Sequence, residues 1–198
     1  MSDSNSAAAP EHSSNASELR IHEATIGEPQ RLDGAIELVL YDHAWPVHYS
    51  IEAERVTGVL GSRVLLLEHV GSTSVPGLPA KPIIDMLLAV ADSSNEEDYV
   101  PPMERAGYVL RIREPDWYEH RLFKGPGANV NLHVFSVGCV EIARMLSFRD
   151  HLRSNVRDRE LYARTKRELA ARQWSYVQEY ADAKTEVVEA IIARAALE

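Results

Sequence analysis

The chain has 198 residues, 45% apolar and 26% charged, a length for one domain and a composition that excludes collagen-like, wholly disordered and disulfide-scaffold classes. No window approaches the ~20 apolar residues that cross a bilayer as a helix. The net charge is −9, and residues 1–140 carry 10 Lys/Arg against 20 Asp/Glu, so the body disfavours nucleic acid, whose affinity comes mainly from phosphate neutralisation, yet leaves room for a nucleotide.

Residues 1–31 are rich in Ser, Ala, Asn and Glu without an apolar period. They bury too little surface to offset ordering entropy and are expected to form a disordered tail. The opening Met-Ser-Asp-Ser-Asn-Ser lacks a secretory layout, and the lone Cys139 permits neither an internal disulfide nor a Cys-based zinc site. The expected location is the cytoplasm.

Ile36–Leu40 reads as a short strand. Pro46 suits the first turn of a helix reaching Leu60, with Val47, Ile51, Val56 and Val59/Leu60 as its apolar side. Val64–Val70 has strand length. Residues 71–82 are turn-rich, with Gly71, Gly77, Pro76, Pro79 and Pro82 barring a long helix. Ile83–Val90 is apolar except for Asp85 and reads as a central strand.

Ser93/Ser94 with Glu96/Glu97 resembles a helix start and Gly107 its stop. Tyr108–Arg113, Trp117–Lys124 and Asn129–Phe135 are predicted strands, the last two joined through Gly125-Pro126-Gly127. Helical patterns follow over 140–153, 156–172 and 174–196. The order predicts an α+β fold: a mixed β-sheet with an N-terminal helix and a helical C-terminal third, spanning 32–198 as one domain.

The chemistry concentrates after the first strand. Gly71 allows close backbone approach, Ser72, Thr73 and Ser74 offer hydroxyls beside backbone N–H groups, and Lys81 adds a cation, a set suited to phosphate oxygens. The competing reading is an ordinary polar turn between strands. Asp85 interrupts the apolar row Ile83, Leu87, Ala89; it is either paired with Lys81 or an Arg, or a metal ligand. Asn129, Asn131 and His133 share the polar face of their strand, which is either a cleft wall or a solvent-facing surface. On the neighbouring strand Glu119 and Arg121 share one face and His120 and Lys124 the other; Arg121 or Lys124 could supply charge for a phosphate. Arg149, Arg153 and Arg157 repeat at helical spacing and read as a solvated stripe or an anion contact.

The stretch His69-Val70-Gly71-Ser72-Thr73-Ser74 through Lys81-Pro82-Ile83-Ile84-Asp85 closely resembles the signature of the GrpB-like family of the nucleotidyltransferase-like superfamily. Tyr41-Asp42 with Trp45-Pro46, Asn131-Leu132-His133-Val134 and Phe148-Arg149-Asp150-His151-Leu152-Arg153 extend the likeness over roughly residues 38 to 192. The resemblance implies a nucleotidyltransferase-like mixed sheet, Gly71-Ser72 holding a nucleoside triphosphate, and carboxylates binding Mg²⁺. The first reading is then an enzyme that transfers a nucleotidyl group to a small-molecule acceptor, with Gly71, Ser72, Thr73, Ser74, Lys81, Arg121 and Lys124 contacting substrate and Asp85, His133 and Lys81 as the catalytic set.

The sequence departs from that pattern in two places. The second Asp position is Leu87, and the later strand offers His133 where a carboxylate is expected. Three outcomes stay open: one Mg²⁺ on Asp85 and substrate phosphates, a transition-metal site of Asp85, His69 and His133, or no metal. The alternatives to transfer are a module that binds a nucleotide or phosphorylated metabolite without transferring it, and a different small-molecule reaction run by Asp85, His69 and His133. The acceptor and the oligomeric state are not legible.

Overall fold

The computed structural model describes residues 11–29, 31–32, 35–127 and 129–197. Helix α1 (Glu11–Ala24) precedes α2 (Trp45–Leu60); then come β1 (Leu66–Val70), β2 (Ile84–Val90), α3 (Val100–Arg105), β3 (Val109–Glu114), β4 (His120–Lys124) and β5 (Val130–Ser136). Helices α4 (Val140–Ser154), α5 (Val156–Ala170), α6 (Val177–Asp182) and α7 (Thr185–Ala195) complete it. The sheet order is β1-β2-β5-β4-β3, with β2 and β5 parallel and the other pairs antiparallel. The α+β architecture with a mixed sheet and a helical C-terminal third agrees with the sequence.

Register decides which side chains meet. Val70 lies opposite Asp85, Asp85 opposite Asn131, and Asn131 opposite Lys124. Directly paired residues point to the same face, so Asp85, Asn131 and Lys124 form one row across three strands. Leu87, His133 and Leu122 form the next. The opposite face carries His69, Met86, Leu132 and Phe123 and packs beneath α2 and α3 with Val56, Leu60 and Met103 in the main core. A smaller cluster of Val70, Leu87, Ala89 and Phe135 meets Ile142 of α4 on the polar row's side.

Several expectations change here. Ile36–Leu40 is not a strand; Val39 exchanges one pair of backbone bonds with Ala80, 2.9 and 3.0 Å. Pro79 and Pro82 flank that partner and have no N–H to extend a ladder. Helix α2 is rotated from its expected orientation: Trp45, Glu52, Val56 and Leu60 are buried, while Val47 and Ile51 are half exposed. Tyr108 donates to Glu52, 2.6 Å, which satisfies that buried carboxylate.

The helix expected from Ser93 begins only at Val100, where Pro101 and Pro102 fit a first turn. Ser93 is instead fully buried against Ser136. The segment 174–196 is two helices, which turns Tyr180 and Lys184 toward the sheet.

Of the tail expected over 1–31, residues 1–10 lie outside the described residues. The remainder contains α1, which seats Ile21 and bridges to the sheet edge at Thr25–Ile112. That edge contact supplies the backbone partners which composition alone does not reveal. Among the described residues no helix is long and apolar enough to cross a membrane.

Candidate functional site

The polar row of the sheet floors a cleft of about 740 Å³, walled by the loop after β1, by α1, and by residues from α5, α6 and the α6–α7 turn. Gly71 makes the loop possible. Its φ is +67°, and a Cβ there would lie 2.4 Å from Asp85 Oδ2, so the backbone passes directly over the carboxylate. The next three residues form a single 3₁₀ turn. Ser74 donates to Gly71 O, 2.6 Å, and Thr73 donates to Ile83 O, 3.0 Å. These two hydroxyls brace the loop.

Ser72 alone of the three hydroxyls takes a partner from the C-terminal third. Lys166 Nζ of α5 donates to Ser72 Oγ, 2.9 Å, and to Pro79 O, and lies 4.8 Å from the Tyr162 ring centre. Lys166 is almost wholly buried. Lys184 stands 4.6 Å and Lys81 5.5 Å from the ring centre of Tyr180. Lys124 donates to Asn131 Oδ1, 2.5 Å, and Asn131 donates to Asp85 Oδ1, 2.7 Å.

Four ammonium groups thus share one cleft with Asp85. Burial pushes Lys166 down to about 7 and Lys184 to about 8, assisted in each case by a neighbouring cation. Burial also lowers Lys81 and Lys124, against the attraction of Asp85. Burial raises the Asp85 carboxyl, opposed by the Asn131 hydrogen bond and by Lys184, Lys81 and Lys124. The Tyr180 hydroxyl is buried without a hydrogen-bond partner among the described residues, although its residue lines the cleft. Such a group is costly to bury.

His133 lines the same floor. Its Nε2 stands 4.0 Å from Asp85 Oδ1, and its Nδ1 is 3.0 Å from His120 Nε2. Burial, His120 and Lys124 push its pKa down to about 3, so the ring is neutral at ordinary pH.

Gly71, Ser72, Thr73, Lys81, Asp85, Lys124 and His133 therefore converge as the sequence suggested. Three predicted residues do not. His69 pairs with Met86 on the opposite face, stacked on Tyr49 at 4.8 Å and 3.0 Å from Thr73 Oγ1; strand alternation separates it from Asp85 and His133, so the three-residue metal set does not form. Arg121 also lies on that face, bound to Glu96, 2.6 Å, and Glu119, 3.2 Å. Ser74 is turned away into the loop. The arginine stripe is broken at Asn155, which caps α5. Arg149 is buried on Glu68, 2.7 Å, and His69 O, 3.0 Å, and Arg153 donates to Ser74 O, 3.0 Å. They staple α4 to β1 and its loop.

The donor set does not suit the magnesium pair that the resemblance implies. Asp85 Oδ1 already accepts from Asn131 and Oδ2 abuts Gly71. Leu87 is buried in the apolar cluster, and the residue facing Asp85 on β5 is an amide held by a lysine. Among the described residues no three His, Cys, Asp or Glu side chains come close enough to hold a metal ion. The charged groups around Asp85 are the ammonium groups of Lys184, Lys81 and Lys124.

Lys166, Lys184 and Tyr180 were not singled out from the sequence. A signal existed for Lys166: Tyr162, Ala163, Leu169 and Ala170, the buried apolar residues of α5, place it inside the apolar stripe.

The family model described as GrpB protein matches residues 35–194. A UPF0157 protein of Halalkalibacterium halodurans is 57% identical over 175 residues, 88% of this chain and 90% of that one. A UPF0157 protein of Streptomyces coelicolor is 46% identical over 170 residues, 86% of this chain and 88% of that one. The crystal structure of conserved protein GrpB from Enterococcus faecalis matches with a TM-score of 0.71 at 31% identity, covering 80% of this chain and 96% of that chain.

Proposed function

We propose, from the premise that the chain belongs to the GrpB family, that its cleft holds the phosphates of a nucleotide and moves the nucleotidyl group to a small-molecule acceptor. The observation that carries the reading is the convergence of Lys81, Lys124, Lys166 and Lys184 with Ser72 on one cleft of about 740 Å³. Mutually repelling, partly desolvated ammonium groups call for a polyanion. Bound phosphate would offset their repulsion and give charge-assisted hydrogen bonds. The cleft volume is in the range of small-molecule sites.

In transfer, the acceptor oxygen forms a bond to the α-phosphorus while the bond to the departing pyrophosphate breaks. Negative charge grows on that leaving group, and preorganised lysines stabilise it in place. Ser72 and the loop backbone orient the phosphates, and Asp85, through Asn131, fixes Lys124 beside them.

A second reading is a module that binds a nucleotide or phosphorylated small molecule without transfer. Leu87 favours it, since the position cannot ligate a cation. Heat-unfolding and calorimetry with ATP, GTP, CTP, UTP and pyrophosphate, each with and without Mg²⁺, Mn²⁺ or Zn²⁺, test both. We expect triphosphates to stabilise the protein without added metal, by about 2.7 kcal/mol at a hundredfold excess over Kd. Ser72→Ala should weaken binding by about 1–2 kcal/mol. No stabilisation by any nucleotide or by pyrophosphate would refute the phosphate cleft. Binding without consumption across a panel of acceptors would favour the second reading.

A further inference from the structure

Three titratable side chains run in hydrogen-bond contact along the floor of the cleft. Glu114 Oε2 lies 2.7 Å from His120 Nδ1, and His120 Nε2 lies 3.0 Å from His133 Nδ1. The sheet sets this order: Glu114 pairs with His120 across β3 and β4, and Leu122 with His133 across β4 and β5. His120 and His133 are therefore diagonal neighbours, stacked with ring centres 5.2 Å apart. Phe135 at 4.8 Å and Trp117 at 5.1 Å hold the His120 ring.

Two proton arrangements fit these contacts, and the relay uses the one with a neutral His120. The Glu114 carboxylate accepts from His120 Nδ1. In that neutral ring His120 Nε2 is bare and accepts from His133 Nδ1. His133 Nε2 is left with its lone pair facing the cleft. The side-chain exposures are 34% for Glu114, 4% for His120 and 22% for His133. Both ends of the chain are reached by solvent or substrate, and the middle is sealed.

We propose that Glu114, His120 and His133 form a proton relay in which His133 Nε2 is the base for the acceptor hydroxyl. The inference rests on the nucleotidyl-transfer reading above, and gives that reaction a base that is not a carboxylate–metal pair. As the acceptor oxygen bonds to the α-phosphorus of the nucleoside triphosphate, its proton passes to His133 Nε2. The electron pair of the breaking phosphorus–oxygen bond leaves with pyrophosphate. The His133 Nδ1 proton moves to His120 Nε2, and the His120 Nδ1 proton to Glu114, whose exposed end returns it to water.

Burial above all, with Lys124 beside it, holds His133 neutral in the free protein. Phosphate beside Lys124 offsets the Lys124 part of that effect and strengthens the base once substrate is bound. His133 is the catalytic residue; His120 and Glu114 position its lone pair.

Histidine labelled with nitrogen-15 in the full chain reads which ring nitrogen is protonated, without any ligand. The expected result is a neutral His133 with its proton on Nδ1 and Nε2 bare. His120→Phe, which retains the aromatic stack, should shift His133 to a mixture of tautomers. His120→Gln, whose amide oxygen can accept from Nδ1–H, should restore the wild-type pattern. With ATP as probe, His133→Gln should bind with unchanged affinity and lose pyrophosphate release about 100-fold or more.

A proton on His133 Nε2 in the wild type overturns the relay whatever ATP does. Undiminished pyrophosphate release by His133→Gln overturns it as well, as does ATP that binds and is never cleaved with water or any hydroxyl acceptor. Failure of ATP to bind sinks the nucleotide reading instead, and the tautomer in the free protein still decides the relay.

Discussion

Replacing Lys166 with methionine takes a charge out of the deepest part of the cleft and keeps most of the apolar stem. Two effects oppose in the free protein. Pro79 O and Ser72 Oγ lose their donor, and an unpaired buried acceptor costs about 1–3 kcal/mol. Against this, the native side chain carries an ammonium whose pKa is lowered from 10.5 to about 7. At ~1.4 kcal/mol per pH unit, removing it relieves about 5 kcal/mol below pH 7. With two acceptors left unpaired the losses are about 2–6 kcal/mol, so the two effects nearly cancel and the variant should lie within about 3 kcal/mol of the wild type near pH 6.

The sign of the pH dependence is fixed by the lowered pKa. Between about 7 and 10.5 the unfolded chain binds the proton that folded Lys166 has released, so the wild type gains stability as pH rises through that window. The variant lacks this gain, and its stability relative to the wild type should fall steadily as pH rises. Urea unfolding at about pH 6 and about pH 9 reads the difference through linear extrapolation. Calorimetry with ATP should show a loss of ~1.5–3 kcal/mol for one charge-assisted contact, roughly 10- to 150-fold in Kd. A destabilisation independent of pH, or unchanged ATP affinity, would refute the argument that Lys166 is a strained cation awaiting phosphate.

Asp85→Asn should leave metal-free ATP affinity unchanged or tighter in calorimetry, because it removes a negative charge among lysines; loss of binding that only Mg²⁺ or Mn²⁺ reveals would reinstate a metal ligand. Gly71→Ala should lose about 1–3 kcal/mol from its positive φ alone, and more from contact with Asp85; an unchanged Tm would show that the carboxylate moves aside freely. Burial with Arg153 and Arg149 lowers His69 from 6.5 to about 4, so the unfolded chain binds the extra proton and stability should fall by about 3 kcal/mol as pH drops through that window. His69→Phe should flatten that acid limb in unfolding curves, and an unaltered limb would remove His69 as its source.

The sequence by itself determined the succession of elements and the loop. Apolar runs of strand length placed β1 and β2, Pro46 placed the start of α2 within one residue, and Gly125-Pro126-Gly127 joined β4 to β5. These signals are local: period, punctuation and glycine freedom act over a few residues. Gly71, Ser72 and Asp85 were legible for the same reason, since a strand, a tight loop and a second strand bring them together within one short stretch of chain. Period two also separated Asn131 and His133 from their apolar neighbours.

Only the tertiary structure decided which faces met. Nothing in the sequence states that Val70 rather than His69 lies opposite Asp85, and that one-residue choice sends His69 to the far face and dissolves the three-ligand metal site. Arg121 went the same way, while His120, one position earlier, gained His133 as a partner through the pairing of β4 with β5. Lys166 comes from 94 residues beyond Ser72, and Lys184 from farther still. Their place in the cleft depends on how α5 and the α6–α7 turn pack across the sheet. Packing joins groups by distance in space, and a pattern read along the chain records only distance in sequence.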